Sequence, residues 1–404
     1  MRLSTANLYD ASIANLQRRQ QTLQNQQQQL TSGKRIATAS DDPTGAARAE
    51  RALASIGRIE ANQRALEASR NSMTLAESAL GDANELMQQA RETMVSAGNA
   101  SYSDAERAGL ANKLQGIRDQ LLAIANRSDG AGGYLFSGQG SANPPFLDQA
   151  GGVRYVGVPG SIQTGNLDDF QLTIDGRSAW ESARSGNGSF VTDANPNSID
   201  PSQPARAWID SGRVTDPALL TGQNYRVDIA GTAPAQTYTV TNTDTGAGVA
   251  AGTYQSGGSI GFDGISVAIS GTPADGDSFS IAPATNSLKL FDVMDRAIAE
   301  LKTPLRGSAQ IQQSNVGRLR DMDAVMGNLQ NIRSQVGEQL NNLDGTETRL
   351  AALKQYSTEE KSAAEDLDMV QGISDFQNQQ TGYDTALKTY ALVQRMSLFQ
   401  YISG

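Results

Sequence analysis

Large apolar residues recur at intervals of seven near the start of the chain, and this spacing predicts helices that pack along one side. The first series is Leu16, Leu23 and Leu30, and the second is Ile59, Leu66, Met73, Leu80, Met87 and Met94. Alanine stands three residues after each of the last four of these residues. A large residue at one seam position and alanine at the other is typical of long, closely packed helices. The pattern therefore predicts one helix around the first series and a longer one around the second.

A third helix is predicted from a start signal and an apolar stripe. Ser103 and Glu106 have the spacing of a capping box, in which each side chain bonds the backbone of the other residue. The stripe Leu110–Ile124 follows with the three-four spacing of one helix face. We expect this helix to end near Asp129–Gly130.

The C-terminal flank carries a comparable pattern. Its apolar stripe consists of Leu319, Met322, Met326, Leu329, Val336, Leu340 and Leu343. This three-four spacing predicts another long helix. Apolar residues continue toward the end of the chain, so we expect a last helix over roughly Tyr356–Ile402.

The middle of the chain has a different composition. Ten of the 12 prolines and 25 of the 40 glycines lie between Gly130 and Pro283. Short alternating runs between these turn residues predict strands. The candidate strands are 134–136, 153–156, 170–174, 225–229, 236–240, 265–269 and 279–282. Strands of this length and spacing indicate a small antiparallel domain, similar to a β-sandwich, inserted between two helical arms.

The predicted fold is therefore mainly α with a β insertion, and both chain ends contribute to one long antiparallel helical bundle. We expect three parts. The terminal helices comprise residues 1–48 and 357–404. A helical part with a β-hairpin comprises 49–187 and 285–356, and a β-rich domain comprises 188–284.

Opposite charges favour pairing of the two extreme ends. Residues 1–36 contain five basic side chains and one acid, whereas residues 355–404 contain seven acids and three bases. Such charges mainly select the partner and contribute little energy. Both ends contain few large apolar residues, and eight glutamines lie between Gln17 and Gln29. We expect these ends to be disordered in the monomer and to order when neighbouring subunits cover them.

Few residues suit catalysis or ligand binding. The 404 residues include no histidine and no cysteine, so the commonest general base and all thiol chemistry are missing. The segments Gly33-Lys34, Asp129–Gly133 and Asp275–Asp277 lack the spacing of a phosphate loop, a dinucleotide site and a calcium loop, respectively. We therefore expect a structural, self-assembling protein with no catalytic residues, no cofactor and no metal, rather than an enzyme.

Charge and hydropathy limit the partners and the route of export. A formal net charge of −10 argues against binding to nucleic acid or to an anionic membrane surface. The first residues lack the apolar core of a secretory signal, and no apolar stretch approaches the roughly 18 residues of a membrane span. We expect the chain to remain in the cytoplasm or to leave by a route without a cleaved signal.

A defined joint separates the first helix from the second. Gly33 weakens the end of the first helix, Asp41 and Asp42 are suited to cap the next one, and Pro43 suits its first turn.

This joint and three other motifs resemble the flagellin family of bacterial axial proteins. The motifs are Met1-Arg-Leu-Ser-Thr5, Ser40-Asp-Asp-Pro-Thr-Gly-Ala-Ala-Arg48, Gly133-Tyr-Leu-Phe-Ser-Gly138 and Ser397-Leu-Phe-Gln-Tyr401. Within this family, the proline after the two aspartates makes the sequence similar to the junction proteins between hook and filament. The resemblance covers about residues 1–140 and 287–404 and leaves the middle domain unassigned.

The resemblance implies an architecture, a destination and partners. It implies terminal helices that line an inner tube, a helical middle layer and an outer β-rich domain. It also implies export through the flagellar type III apparatus into the extracellular bacterial flagellum. The implied partners are copies of the same chain in a ring, another hook-associated junction protein, flagellin and a cytoplasmic export chaperone.

On this basis, apolar residues at both ends are expected to form the interface between subunits. The expected interface residues are Leu16, Leu23 and Leu30 near the start, and Leu387, Tyr390, Leu398 and Phe399 near the end. A chaperone is expected to bind Leu387, Tyr390 and Phe399 by docking this helix into a groove. Two alternatives stay open: a filament flagellin that polymerises by itself, and a secreted adhesin or binding module whose sandwich binds a ligand.

Overall fold

The chain divides into two compact units. The computed structural model describes residues 2–140, 142–165 and 167–402, and side chains from residue 10 to residue 392 within these ranges. The first unit contains residues 1–64 and 345–404, and the second contains residues 65–344. The predicted division into inner, middle and outer parts stays a prediction.

Helices dominate both ends of the chain. They are α1 (Arg2–Ser32), α2 (Pro43–Ala97), α3 (Asp104–Ala125), α4 (Gly176–Trp180), α5 (Leu290–Lys302), α6 (Ser308–Glu365) and α7 (Met369–Ile402). The mainly helical fold with a β insertion is thus confirmed. The capping box of α3 is also present, because Glu106 N–H donates to Ser103 Oγ at 3.3 Å and Ser103 N–H donates to Glu106 Oε2 at 2.7 Å.

The third helix is shorter than predicted. It ends at Ala125 rather than near Asp129–Gly130. The cause is Asn126, whose side-chain amide donates to the carbonyl of Phe146 at 2.8 Å and accepts from the N–H of Phe146 at 2.9 Å. This pair of bonds fixes Asn126 to the following strand, so the chain leaves the helix there.

The helical part of the second unit surrounds an aromatic centre. Strands β1 (Phe146–Gln149) and β2 (Gly152–Tyr155) form an antiparallel hairpin that shares one apolar core with α2, α3, α5 and α6. Trp180 lies at its centre: it stacks on Phe291 with ring centroids 6.0 Å apart and meets Phe136 edge-on at 5.4 Å. These contacts place the first hairpin on the helices of this unit.

One buried arginine of α3 links the β1–β2 hairpin to α5. The Arg118 guanidinium donates to both carboxylate oxygens of Asp148 on β1, at 2.7 and 2.8 Å, and its Nε donates to Asp295 on α5 at 2.5 Å. Planar, bidentate contacts of this kind are the strong form of ion pair. This group was not predicted from the sequence, because Arg118 lies next to the apolar position of Ile117 on α3 and its two acids are distant in sequence.

Most of the remaining strands form an antiparallel domain of two sheets. The strands are β3 (Gln163–Thr164), β4 (Phe170–Gln171), β5 (Phe190–Asn195), β6 (Ala207–Ile209), β7 (Arg213–Val214), β8 (Tyr225–Ala230), β9 (Thr237–Asn242), β10 (Gly248–Thr253), β11 (Ser259–Phe262), β12 (Ile265–Gly271) and β13 (Ser278–Pro283). One sheet has the order β10-β9-β8-β13-β5, and the other has the order β11-β12-β6 with β7 also paired to β12, whereas β3 and β4 pair with each other. Alternate residues of both sheets, such as Val227 and Val267, meet in one core.

Six of the seven predicted segments contain strand residues. Segment 134–136 does not: Tyr134 makes a single bridge to Ser128, while Leu135 and Phe136 are buried in the helical core. Leu135 and Phe136 lie in a turn and both pack into the helical core, whereas successive residues of a strand would point to opposite faces. Several strands, among them β5, β6, β10 and β11, were not predicted. Strand β10 is rich in glycine and alanine, which give little strand signal.

Candidate assembly interface

The two ends of the chain pair through α1 and α7. Leu16, Leu23 and Leu30 are half-buried on one face of α1, where the seven-residue spacing places them. Two glycines of α7 allow close approach. A Cβ on Gly372 would lie 3.3 Å from Leu30 Cδ2, and one on Gly382 would lie 2.8 Å from an Arg19 nitrogen. Glycine at these positions therefore lets the helix axes come together.

The predicted partners on α7 occupy different faces. Tyr390 is half-buried, whereas Leu387 is exposed. The side chains of Leu398 and Phe399 lie outside the described residues. Because these residues were expected to meet neighbouring subunits, an exposed Leu387 in the single chain leaves that expectation open.

The end of α1 is tied to the segment before α7. Gly33 follows Ser32 with φ of +69°, a left-handed conformation that glycine adopts at helix ends. Arg35 N–H donates to the Glu365 carbonyl at 2.7 Å, and Leu367 N–H donates to the Gly33 carbonyl at 2.9 Å. The break between α1 and α2 and the break between α6 and α7 therefore form one structural element. From here on, the joint means residues 33–45 together with residues 364–368.

This element explains why the predicted last helix, Tyr356–Ile402, is wrong. The helix is interrupted between Glu365 and Met369. Asp368 starts a new helix there, since its carboxylate accepts from Val370 N–H at 3.0 Å, as an N-cap residue does. The apolar pattern continues through the break, which is why periodicity alone suggested one helix.

Charged side chains surround the joint. Lys34 Nζ lies 3.2 Å from a Glu365 oxygen, and Arg35 lies 3.3 Å from Asp42 Oδ2. Arg35 also donates to the carbonyl of Ala364 at 2.8 Å. Because the basic side chains are half-exposed, each ion pair contributes little stability and mainly fixes the register of the two segments.

The predicted joint residues organise the start of α2. The Asp41 carboxylate accepts from Thr38 N–H at 2.8 Å, and Asp42 accepts from Gly45 N–H at 2.9 Å. These backbone hydrogen bonds lower the pKa of Asp41 and the pKa of Asp42 below the usual aspartate value. Asp42 is therefore the N-cap of α2, with Pro43 at the first helical position.

Gly45 is needed for close packing at this helix start. A Cβ on Gly45 would lie 2.5 Å from both Asp42 Oδ2 and Ile36 Cδ1, and Ile36 is buried. Gly33 and the two aspartates were predicted from the sequence, whereas Ile36 was not, because its burial depends on the second segment of the joint. The apolar residue after Lys34-Arg35 was the available signal for that burial.

The described residues offer little for other chemistry. Among them there is no group of three or more acidic, histidine or cysteine side chains arranged to hold a metal ion. None of the helices in these ranges has an apolar stretch of the length that a bilayer-spanning helix needs.

Two family models match separate parts of the chain. The model for the bacterial flagellin N-terminal helical region matches residues 3–141. The model for the D2-like domain of flagellar hook-associated protein 1 matches residues 203–283, within the two-sheet domain.

Individual relatives match over nearly the whole length. Flagellar hook-associated protein 3 of Escherichia coli strain K12 is 26% identical over 412 residues, which cover 99% of each chain. The crystal structure of flagellar hook associated protein-3 from Legionella pneumophila is 29% identical with a TM-score of 0.70, covering 77% of this chain and 97% of that one. The flagellar junction protein FlgL from the same organism is 30% identical with a TM-score of 0.65, covering 72% and 97%.

Proposed function

The chain belongs to the family of flagellar hook-associated protein 3, and we propose that it is the adapter at the hook–filament junction on which flagellin polymerises. It is a structural component of the bacterial flagellum. Association with other flagellar components follows from that role. Its particular partners and its route of export are further proposals.

The observation that carries the adapter role is the pairing of the two chain ends. A pair of helices with a half-buried seam and exposed apolar residues beside it is marginal alone. Such a pair gains stability when further subunits cover it. We propose that Leu16, Leu23 and Leu30 of one copy and Leu387, Tyr390, Leu398 and Phe399 of neighbouring copies form this contact in a ring.

The weak stability of the chain ends also bears on how the chain is exported. Ends that are weakly stabilised in the single chain unfold easily, which suits passage through a narrow export channel. We propose export by the flagellar type III apparatus, with a cytoplasmic chaperone bound to Leu387, Tyr390 and Phe399 beforehand. In the assembled flagellum, the proposed neighbours are another hook-associated junction protein on the hook side and flagellin on the filament side.

Deletion of the gene in its host tests the adapter role. We expect bare hooks by electron microscopy and unpolymerised flagellin in the medium, with both defects restored by the wild-type gene. Intact filaments in the deletion strain would refute the role. Long fibres formed by the purified chain alone would instead indicate a filament flagellin.

Substitutions at the interface test the proposed contact. Leu387→Asp and Phe399→Asp are each expected to abolish incorporation, because they place a charge in an apolar contact. Asn378→Asp is the matched control, since Asn378 is exposed and lies off the pairing seam of α7. Unchanged near-ultraviolet circular dichroism would show that the second unit remains folded. Normal incorporation of both the leucine and the phenylalanine variant would contradict the contact.

A further inference from the structure

One asparagine side chain links two loops of the two-sheet domain. Asn187 lies in the turn before β5, and its Nδ2 donates to the carbonyls of Ser211 and Gly212, at 3.1 and 3.3 Å, in the loop between β6 and β7. Its Oδ1 accepts from the N–H groups of Ser189 and Phe190, both at 3.0 Å. The side-chain amide therefore uses its donor end and its acceptor end at once. We call these four hydrogen bonds the Asn187 clasp.

The clasp holds a loop that covers the core between the two sheets. Gly212 has a φ of +62°, and a Cβ on it would lie 2.7 Å from Phe190 and 2.8 Å from Val267. Both of those side chains are buried in this core. The carbonyl that Asn187 binds thus belongs to a residue that packs directly on the core, and a break in the clasp would loosen its cover.

Asn187 also stands in the sequence context in which an asparagine side chain hydrolyses most easily. Gly188 follows it, and this is the only Asn-Gly pair among the 404 residues. Glycine has no Cβ to obstruct the approach of its own backbone nitrogen to the preceding side chain, and it adopts conformations that are closed to other residues. Gly188 has a φ of +89°, and Asn187 is exposed to water. The residue that forms the clasp is therefore open to spontaneous deamidation.

The reaction consumes water and releases ammonia. The backbone nitrogen of Gly188 gives up its proton to water and attacks Cγ of Asn187, and Nδ2 leaves as ammonia. The product of this step is a cyclic succinimide. Water then opens the ring at either of its carbonyl groups, which leaves aspartate or isoaspartate at position 187. The conversion needs no oxidant, metal ion or second protein.

Hydrolysis changes one end of the clasp and keeps the other. A carboxylate has only acceptor oxygens, so it can still accept from the N–H groups of Ser189 and Phe190. It cannot donate, and its oxygens would face the carbonyl oxygens of Ser211 and Gly212 with no proton between them. The same loop already carries a carboxylate, since Asp210 accepts from the N–H of Gly212 at 3.0 Å. The loop between β6 and β7 is therefore expected to separate from the turn before β5.

We propose that the Asn187 clasp is a slow, one-way switch, in which spontaneous deamidation of Asn187 releases the loop between β6 and β7. The folded protein restrains the reaction, because the four hydrogen bonds fix the side chain and must open before its amide carbon can meet the Gly188 nitrogen. Water is the only reactant, so the switch records the age of the protein and not the presence of a ligand. This inference goes beyond the proposed adapter role and does not depend on it.

Ageing of the purified full chain tests the chemistry. The folded protein and the same protein in urea are incubated side by side in mildly alkaline buffer, and their peptides are analysed by mass spectrometry at intervals. We expect conversion of Asn187 in both samples, more slowly in the folded one. Asn286 is the matched control, because it is exposed but precedes serine, and it is expected to keep its amide in the folded sample. Conversion of Asn187 in urea without any in the folded sample would overturn the proposal, as would equal conversion of Asn286.

Asn187→Asp shows what the product does to the loop. Exchange of backbone amide hydrogen for deuterium is followed by mass spectrometry with single-residue fragmentation. Loss of the two donated hydrogen bonds should raise the exchange rate at Gly212 by about 5–30-fold. The rates at Ser189 and Phe190 should stay at their wild-type values, because the carboxylate still accepts from both.

Asn286→Asp is the control for charge alone. It adds the same charge in the connection between β13 and α5, outside the clasp, and should leave exchange at Gly212 unchanged. A wild-type rate at Gly212 in the Asn187→Asp variant would overturn the proposed release. A rise of equal size at Gly212, Ser189 and Phe190 would also overturn it, because it would indicate general loosening of the domain and not release of one loop.

Discussion

Removal of the Arg118 charge should destabilise the second unit strongly. The Arg118 side chain is 6% exposed and joins α3 to Asp148 on the hairpin and Asp295 on α5. Arg118→Met keeps most of the aliphatic stem and removes the cation. Two carboxylates that shared one guanidinium then face each other without it.

The expected loss of unfolding free energy is about 2–3 kcal/mol. Breaking a fully buried ion pair costs about 3–5 kcal/mol, because an unpaired charge stays in a medium of low polarity. Here the side chains of Asp148 and Asp295 are 44% and 34% exposed, so water hydrates the orphaned acids and reduces the loss. Because Arg118 binds Asp148 through two hydrogen bonds, we expect a larger loss of unfolding free energy than for a surface ion pair.

Trp180 fluorescence during urea unfolding measures this loss, in a Trp208→Phe background that removes the other tryptophan. The matched control is Arg127→Met, which breaks the exposed Arg127–Asp82 pair at 2.8 Å. For this control we expect a loss below about 1 kcal/mol. Equal losses for the two variants would refute the argument that burial sets the value.

The pH dependence provides a second check on the same reasoning. The hydrogen bonds from Arg118 lower the pKa of Asp148 in the folded state. Its stabilising effect is therefore present above the unfolded pKa of about 3.9 and lost as the pH falls through the lower folded value. The stability difference between wild type and Arg118→Met should be constant above about pH 5 and shrink below about pH 4. A difference that persists undiminished well below the unfolded pKa would contradict the pairing.

Three further substitutions test local features by urea unfolding. Leu305 is 93% exposed and has a φ of +58°, which is unfavourable for a residue with a Cβ. Leu305→Gly should therefore stabilise the second unit by up to about 1 kcal/mol. Destabilisation would show that the leucine side chain makes an unrecognised contact. Gly45→Ala should destabilise the first unit by about 1–3 kcal/mol, because its Cβ would overlap Ile36; a gain in stability would mean that the joint relaxes freely. Ser103→Ala should cost about 1 kcal/mol by removing half of the capping box with Glu106, and no loss would show that the cap is replaceable.

The long helices could be predicted because their apolar spacing is a local property. Ile59 to Met94 keep one register over the length of α2, and all six large residues of that series are buried. The capping box at Ser103 is equally local. The strands β8, β12 and β13 were found for the same reason, since their alternation follows from one buried face.

Features that depend on distant partners were not visible in the sequence. The break between Glu365 and Met369 arises because Gly33 and Arg35 supply backbone partners from more than 300 residues away, while the apolar pattern runs on unchanged. Likewise, the role of Arg118 can be recognised only in the folded chain, where β1 and α5 place Asp148 and Asp295 within hydrogen-bond distance of it. The α5 helix also went unpredicted, although seven of its side chains are buried.

Charge is divided unequally between the two units, and this division suits assembly through the chain ends. The first unit contains 14 basic and 13 acidic residues, whereas the second contains 19 basic and 30 acidic ones. Like charges on the second units of neighbouring copies repel each other. The nearly neutral first unit lacks that repulsion. Within it, residues 1–64 contain nine basic and five acidic side chains, whereas residues 345–404 contain five basic and eight acidic ones, and this separation favours heterologous contacts. Copies therefore have an electrostatic reason to meet through residues 1–64 and 345–404 and to keep their acidic parts hydrated.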